Sequence, residues 1–267
     1  MSLGALLFDV DGTLADTEPQ GHLPAYNRAF EDFGLDWRWT PELYRRLLRV
    51  SGGRERIHHY IEHFDPSLGH HDAAIDDDAA GWVRELHQRK THHFRSRLER
   101  GEIPLRPGVA RLIAEAGDAG VPVAIVTNAS RPTLEPFLAH ALGPALVRHI
   151  ALCVCGDEVE HKKPAPDLYR EACRRLNCAP ERCVTVEDSA VGVTAATGAG
   201  VASIVTVNDD TRRQRFDDAV LVLDSLGEPG RPAERLRTAT DYDFDHVTLA
   251  LVRAVSDAWQ ERSSRRG

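Results

Sequence analysis

The chain has 267 residues, with 33 Lys and Arg against 41 Asp and Glu, a formal net charge of −8. A hydrophobic share of 42% and a charged share of 28% suit a chain that folds around an apolar core, and exclude a disordered or fibrous one. No apolar run approaches the roughly 18 residues of a membrane span, and the acidic balance argues against nucleic acid and anionic membranes as partners.

The opening apolar run, Leu3 to Phe8, meets Asp9 and Asp11 at once and has no basic segment before it, so no export signal is expected. Ala5 to Phe8 reads as a short strand buried on both faces, followed by Asp9-Val10-Asp11-Gly12-Thr13. From about residue 22 to 100 the apolar spacing is helical. Ala25, Tyr26, Ala29, Phe30 and Phe33 share one face, as do Leu43, Tyr44, Leu47 and Leu48, then Trp82, Val83 and Leu86. Asp76-Asp77-Asp78 reads as a helix N-terminus or a solvated loop.

After Leu105-Arg106-Pro107-Gly108 the pattern changes to alternating helix and strand. Strands are expected at Val121 to Val126, Ile150 to Val154, Cys183 to Val186, Ala202 to Val207 and, more weakly, Val220 to Leu223. Helices are expected from Val109, from about 165 to 177, and near 244–261. This order predicts an α/β fold, a doubly wound, Rossmann-like parallel sheet formed by 1–16 and 104–267. A helical cap domain, 17–103, is inserted into it.

The five cysteines are an odd number in a chain long enough to fold without disulfides, which fits a reducing cytoplasm. Cys173 shares the helical spacing of Leu168, Tyr169, Ala172 and Leu176, and Cys183 opens a strand. Buried small hydrophobes fit these positions better than a zinc site, since no Cys-x-x-Cys pair occurs. The histidine pairs are adjacent, and His59 and His63, although four apart, have no supporting carboxylate motif, so surface or partly buried positions fit better than a metal site.

Ligands of open parallel sheets bind beyond the carboxyl ends of the strands. Those ends carry Asp9 and Asp11, then Thr127-Asn128, then Cys155-Gly156-Asp157 leading to Lys162-Lys163-Pro164, then Glu187-Asp188-Ser189. Two carboxylates about 4 Å apart repel by roughly 4 kcal/mol at an effective dielectric near 20, so Asp9 and Asp188 together ask for a cation. A hard divalent ion such as Mg²⁺ answers that and keeps positions open for a phosphate. Thr127 and Lys163 would give the same phosphoryl group a donor and a positive charge. A carboxylate attacking phosphorus would form an aspartyl-phosphate, and its neighbour two residues on could protonate the leaving oxygen and later activate water.

Phe8-Asp9-Val10-Asp11-Gly12-Thr13-Leu14, Val126-Thr127-Asn128, Lys163-Pro164-Ala165-Pro166-Asp167 and Val186-Glu187-Asp188-Ser189 resemble, in order, the four motifs of the haloacid dehalogenase-like (HAD) phosphohydrolases. The resemblance implies Asp9 as nucleophile and Asp11 as acid and base. It implies phosphate binding by Thr127 and Lys163, and Mg²⁺ held by Asp9, the Asp11 main-chain carbonyl and Asp188. The helical insertion is similar to that of the group containing β-phosphoglucomutase and small phosphatases. Gly34-Leu35-Asp36-Trp37-Arg38-Trp39, Tyr44-Arg45, Ser51-Gly52-Gly53-Arg54-Glu55-Arg56-Ile57 and Leu105-Arg106-Pro107-Gly108 resemble CbbY-type sugar-bisphosphate phosphatases. That likeness implies a pentulose bisphosphate, xylulose 1,5-bisphosphate, as substrate, and a phosphosugar mutase or a non-catalytic phosphosugar-binding protein as the alternatives.

The cap adds five arginines between residues 45 and 56, namely Arg45, Arg46, Arg49, Arg54 and Arg56. Arg45, Arg46 and Arg49 fit a solvated helix face. Arg54 follows Gly52-Gly53, where backbone can approach a ligand, and is expected to hold a second phosphate. Glu18, Tyr44, Gly52, Gly53, Arg54 and Asn128 are therefore the expected substrate-binding residues. Pro19, Gly21 and Pro24, and the Ala129-Ser130 that follows Asn128, depart from the CbbY-like pattern and bear on which sugar is read. The expected partner is a small phosphorylated sugar, with no nucleic acid and no membrane, taken up by a cytoplasmic monomer.

Overall fold

The computed structural model describes residues 3–50, 52–238 and 242–264. Ser51, in the expected Gly52-Gly53 segment, lies outside the described residues. The chain divides into two compact units, Met1–Asp16 with Pro104–Gly267, and Thr17–Ile103.

Strand β1 (Ala5–Phe8) opens the chain, and helices α1 (Leu23–Asp32), α2 (Pro41–Leu47), α3 (Gly53–Phe64) and α4 (Asp72–Glu99) make up the second unit. There follow α5 (Val109–Asp118), β2 (Val123–Val126), α6 (Arg131–Phe137), α7 (Gly143–Val147), β3 (Ile150–Val154), α8 (Asp167–Arg175) and β4 (Cys183–Glu187). The chain then forms α9 (Ala190–Ala199), β5 (Ala202–Thr206), β6 (Leu221–Leu223), β7 (Arg235–Thr238) and α10 (Leu249–Ser264).

The seven strands lie in the order β3-β2-β1-β4-β5-β6-β7. Every neighbouring pair is parallel except β6 with β7. β1 is central, pairing Phe8 with Ile125 on one side and with Val186 on the other. All residues of β1, β2 and β4 are buried, which is why β1 and β2 read as unbroken apolar runs, while β4 also buries Thr185 and Glu187. β7 was not expected from the sequence. Its Arg-Leu-Arg-Thr is exposed throughout, so an edge position supplies its pairing and no burial pattern marks it. The terminal helix also starts later than expected, at Leu249.

Cys173 and Cys183 are buried as free thiols, their sulfurs 3.7 Å apart between α8 and β4. In the helical unit Tyr26, Phe30, Trp37, Trp39, Tyr44, Tyr60 and Trp82 share one core with Leu47, Ile57 and Leu86. The helix α4 breaks from helical geometry at Asp78, whose carboxylate accepts from the Gly81 N–H at 2.8 Å. The acidic run thus caps a helical segment, one of its two expected roles. Among the described residues, no helix is long and apolar enough to cross a membrane.

Candidate active site

The chain leaves β1 at Phe8 and turns immediately. Gly12 donates to the Ala15 carbonyl at 2.8 Å, and Leu14 to that of Val10 at 2.9 Å. Gly12 has φ +83°, and a Cβ there would run into the Asp188 carboxylate and the Asn208 amide. Only glycine lets this turn lie so close to the end of β4. Asp9 is buried at the start of the turn, while Asp11 is half-buried.

Lys163 crosses from the loop before α8. Its Nζ donates to Asp9 Oδ1 at 2.8 Å, to Glu187 Oε1 at 2.6 Å and to the Val126 carbonyl at 2.8 Å. Burial opposes its charge, but Asp9 and Glu187 outweigh burial and hold the ammonium well above the usual lysine range. Asn128 brackets the Lys163 main chain, accepting from its N–H at 2.9 Å and donating to its carbonyl at 3.3 Å. Its side-chain amide, expected to meet substrate, is therefore engaged with the backbone that carries Lys163.

Thr127, buried at the end of β2, accepts from the Ala129 N–H at 3.0 Å, which leaves its own hydroxyl proton to donate. Neither Thr127 nor Asn128 caps α6, whose first N–H donates to Asp157 at 3.0 Å. Ser189 caps α9, its hydroxyl accepting from the Gly192 N–H at 3.1 Å, and this leaves Asp188 outside the capping role. Asp9, Thr127 and Asp188 are buried at the carboxyl ends of neighbouring strands, and Lys163 is buried with them from the loop before α8.

Asp9, Glu187 and Asp188 bring carboxylate oxygens within 4.8 Å of one another. Lys163 offsets one of the three charges. Glu187 is already occupied, since Lys163 and the Tyr169 hydroxyl (2.5 Å) both donate to its Oε1. Asp9 and Asp188 remain. Burial pushes the Asp188 carboxyl well above the usual carboxylate range, and Asp9 and Glu187 add to the shift. The donor set is all oxygen and its excess charge is negative, so it can hold a hard divalent cation.

Three residues matter here that sequence reasoning left without a role. Glu187 lay inside a motif at a strand end but was given no role of its own. Arg106 is buried, with hydrogen bonds to the carbonyls of Gly12, Thr206 (2.9 Å), Val207 (2.6 Å) and Asp224 (2.7 Å). Asn208, just beyond β5, donates to Asp188 Oδ2 at 2.8 Å. The rule that led to Asp9, Thr127 and Asp188 finds Asn208 too, once the end of β5 is read with the others.

In the helical unit Glu18 and Tyr44 meet, the phenol donating to Glu18 Oε2 at 2.5 Å. Arg56 donates to the Tyr44 oxygen at 3.1 Å and to the carbonyls of Leu47 (3.2 Å) and Val50 (3.3 Å). The Tyr26 hydroxyl donates to the Gly53 carbonyl at 3.1 Å, and Gly52 takes φ +94° at the start of α3. Arg54 is exposed on the first turn of α3, and Arg45, Arg46 and Arg49 are exposed on or just after α2. The five arginines thus divide: Arg56 is structural and buried, the other four face solvent.

A model of the haloacid dehalogenase-like hydrolases matches residues 3–200, and the chain belongs to that family. It is a phosphoric monoester hydrolase. The chain is 44% identical over 229 residues to the plasmid form of protein CbbY from Cupriavidus necator, covering 85% of this chain and 87% of that one. The crystal structure of CbbY from Rhodobacter sphaeroides in complex with phosphate matches with a TM-score of 0.70 at 41% identity, over 85% of this chain and 96% of that one. A mutant of that protein in complex with xylulose-(1,5)bisphosphate matches with a TM-score of 0.69 at 41% identity, over 84% and 94%.

Proposed function

We propose that the chain is a Mg²⁺-dependent phosphatase of a small phosphorylated sugar, with xylulose 1,5-bisphosphate as its favoured substrate. The observation that carries the chemistry is the meeting of Lys163 with Asp9 at 2.8 Å beside Asp188, at the ends of adjacent strands. The sugar rests on the 41% identity to a protein whose structure holds xylulose-(1,5)bisphosphate.

Lys163 engages Oδ1 of Asp9, leaving Oδ2 to attack phosphorus. Asp11 gives its proton to the departing sugar oxygen, and an aspartyl-phosphate forms on Asp9. Asp11, now a carboxylate, takes a proton from water as that water attacks the phosphorus, which releases phosphate and restores Asp9. Thr127 and Lys163 hold the phosphoryl oxygens through a hydroxyl donor and an ammonium. Mg²⁺, held by Asp9, the Asp11 main-chain carbonyl and Asp188, supplies positive charge where negative charge gathers on the phosphoryl group. Glu18, Tyr44, Gly52, Gly53 and Arg54 are proposed to select the sugar and its second phosphate.

The test is phosphate release from mono- and bisphosphorylated sugars with Mg²⁺ or with a chelator. Release from xylulose 1,5-bisphosphate ahead of monophosphates, lost on chelation, is the expected result. Conversion of a sugar phosphate to its isomer with little free phosphate would instead identify a mutase.

A further inference from the structure

We propose that Asn208 is the positioning residue for Asp188, and through it sets how tightly the site takes its divalent cation. This rests on the Mg²⁺ reading above.

The side-chain amide of Asn208 is held at both ends. Its Nδ2 donates to Asp188 Oδ2 at 2.8 Å. Its Oδ1 accepts from the N–H groups of Asp210 (2.9 Å) and Thr211 (3.0 Å) and from the Thr211 hydroxyl (3.2 Å). Reversing the amide would set oxygen against carboxylate at one end and NH₂ against two N–H donors at the other. One orientation is therefore dictated.

The backbone beneath it is equally tied. Asn208 N–H donates to Thr211 Oγ1 at 3.0 Å, the Arg212 N–H to the Asn208 carbonyl at 2.9 Å, and Val207 N–H to Leu223 at 2.8 Å. Arg106 holds the Val207 carbonyl at 2.6 Å and also bonds the Gly12 carbonyl in the turn after β1. Gly12 completes the arrangement, since a Cβ there would strike both Asp188 Oδ2 and Asn208 Nδ2.

The choice of an amide has a physical reason. A lysine or arginine in this place would orient Asp188 but also neutralise it, in competition with the cation. A neutral donor fixes one carboxylate oxygen and leaves the negative charge in place. Lys163 lies against Asp9 and Glu187 instead.

Asn208 could matter only to its own turn, since Oδ1 alone serves the 208–211 loop. Two variants separate these roles. Asn208→Ser keeps a short acceptor for the turn but cannot reach Asp188, and Asn208→Ala removes both contacts. Mg²⁺ binding is measured by calorimetry, and melting temperature is followed with and without Mg²⁺. Positioning predicts that Asn208→Ser weakens Mg²⁺ binding by about 10- to 100-fold, the usual cost of losing a group that orients a metal ligand. Its melting temperature in chelator stays at the wild-type value, and the Mg²⁺-induced rise shrinks. Thr211→Val, which loosens the clamp on Oδ1, weakens binding in the same direction and by less. Wild-type Mg²⁺ affinity in a folded Asn208→Ser protein overturns the proposal alone. A wild-type protein that binds no Mg²⁺ overturns the Mg²⁺ reading and this proposal with it.

Discussion

The α/β unit and the helical unit both bury charged side chains, and they settle them in different ways. In the α/β unit Lys163 faces Asp9 and Glu187, with Asp188 alongside, so negative charge exceeds positive charge in a buried place. In the helical unit Arg56 is buried against two carbonyls and the Tyr44 oxygen, and Tyr44 in turn donates to Glu18. One arrangement leaves a charge to be balanced from outside. The other is closed on itself and leaves Arg54 exposed to solvent. An unbalanced buried charge is where chemistry is to be sought, and a balanced one is where shape is held.

The contrast can be broken first at Asp9. Asp9→Asn removes the nucleophile with almost no change of volume, so turnover should fall by about 10⁴-fold or more while the circular dichroism spectrum is kept. Near-wild-type phosphate release from that variant would sink the mechanism.

Lys163→Met tests the charge balance itself. It leaves three buried carboxylates without their ammonium, and should lower stability to urea by about 3–5 kcal/mol as well as abolishing turnover. Added Mg²⁺ should restore part of the lost stability. A variant as stable as wild type in chelator would show that the charges are not in deficit.

Arg54→Ala probes the helical unit. Losing one charge-assisted hydrogen bond to a phosphate should lower kcat/KM for the bisphosphate by roughly tenfold or more, with little effect on a small artificial monophosphate. Equal losses on both would remove Arg54 from substrate selection.

The last test concerns pH. Burial, then Lys90 and Arg54, lower His87 from 6.5 to about 4. His87 sits where a Cβ on Gly53 would meet it. The unfolded chain takes up the proton from about pH 6.5 downward and the folded one only near 4, so the unfolded state binds more protons between those values. Stability should fall as the pH drops through that window. Thermal melts of His87→Gln should show a flatter acid limb, and an unchanged limb would exclude His87 as its source.

Much of the α/β unit was legible because β1, β2, β4, β5 and β6 are buried on both faces. Such strands appear as short apolar runs, and each carboxyl end then falls at a known place in the sequence. Asp9, Thr127 and Asp188 were found by that rule alone, before any resemblance. β7 escaped it, since Leu236 is the one apolar residue in an exposed edge strand. In the helical unit, the spacing of Tyr26, Phe30, Tyr44 and Leu47 marked the buried faces. It did not separate Arg56 from Arg54. Two residues apart on a helix is about 200°, but only the packed structure shows which side is inside.

Local sequence sets the order of strands and helices, the glycine at the tight turn and the residues at the strand ends. These follow from backbone preferences and from the period of apolar residues, which act over a few positions. Tertiary structure alone decided that Lys163 serves Asp9 and Glu187 together, that Asn128 holds the backbone of Lys163, and that Asn208 reaches Asp188. Those are contacts between residues 20 to 154 positions apart. No local preference encodes them, because each depends on which strands lie side by side in the sheet.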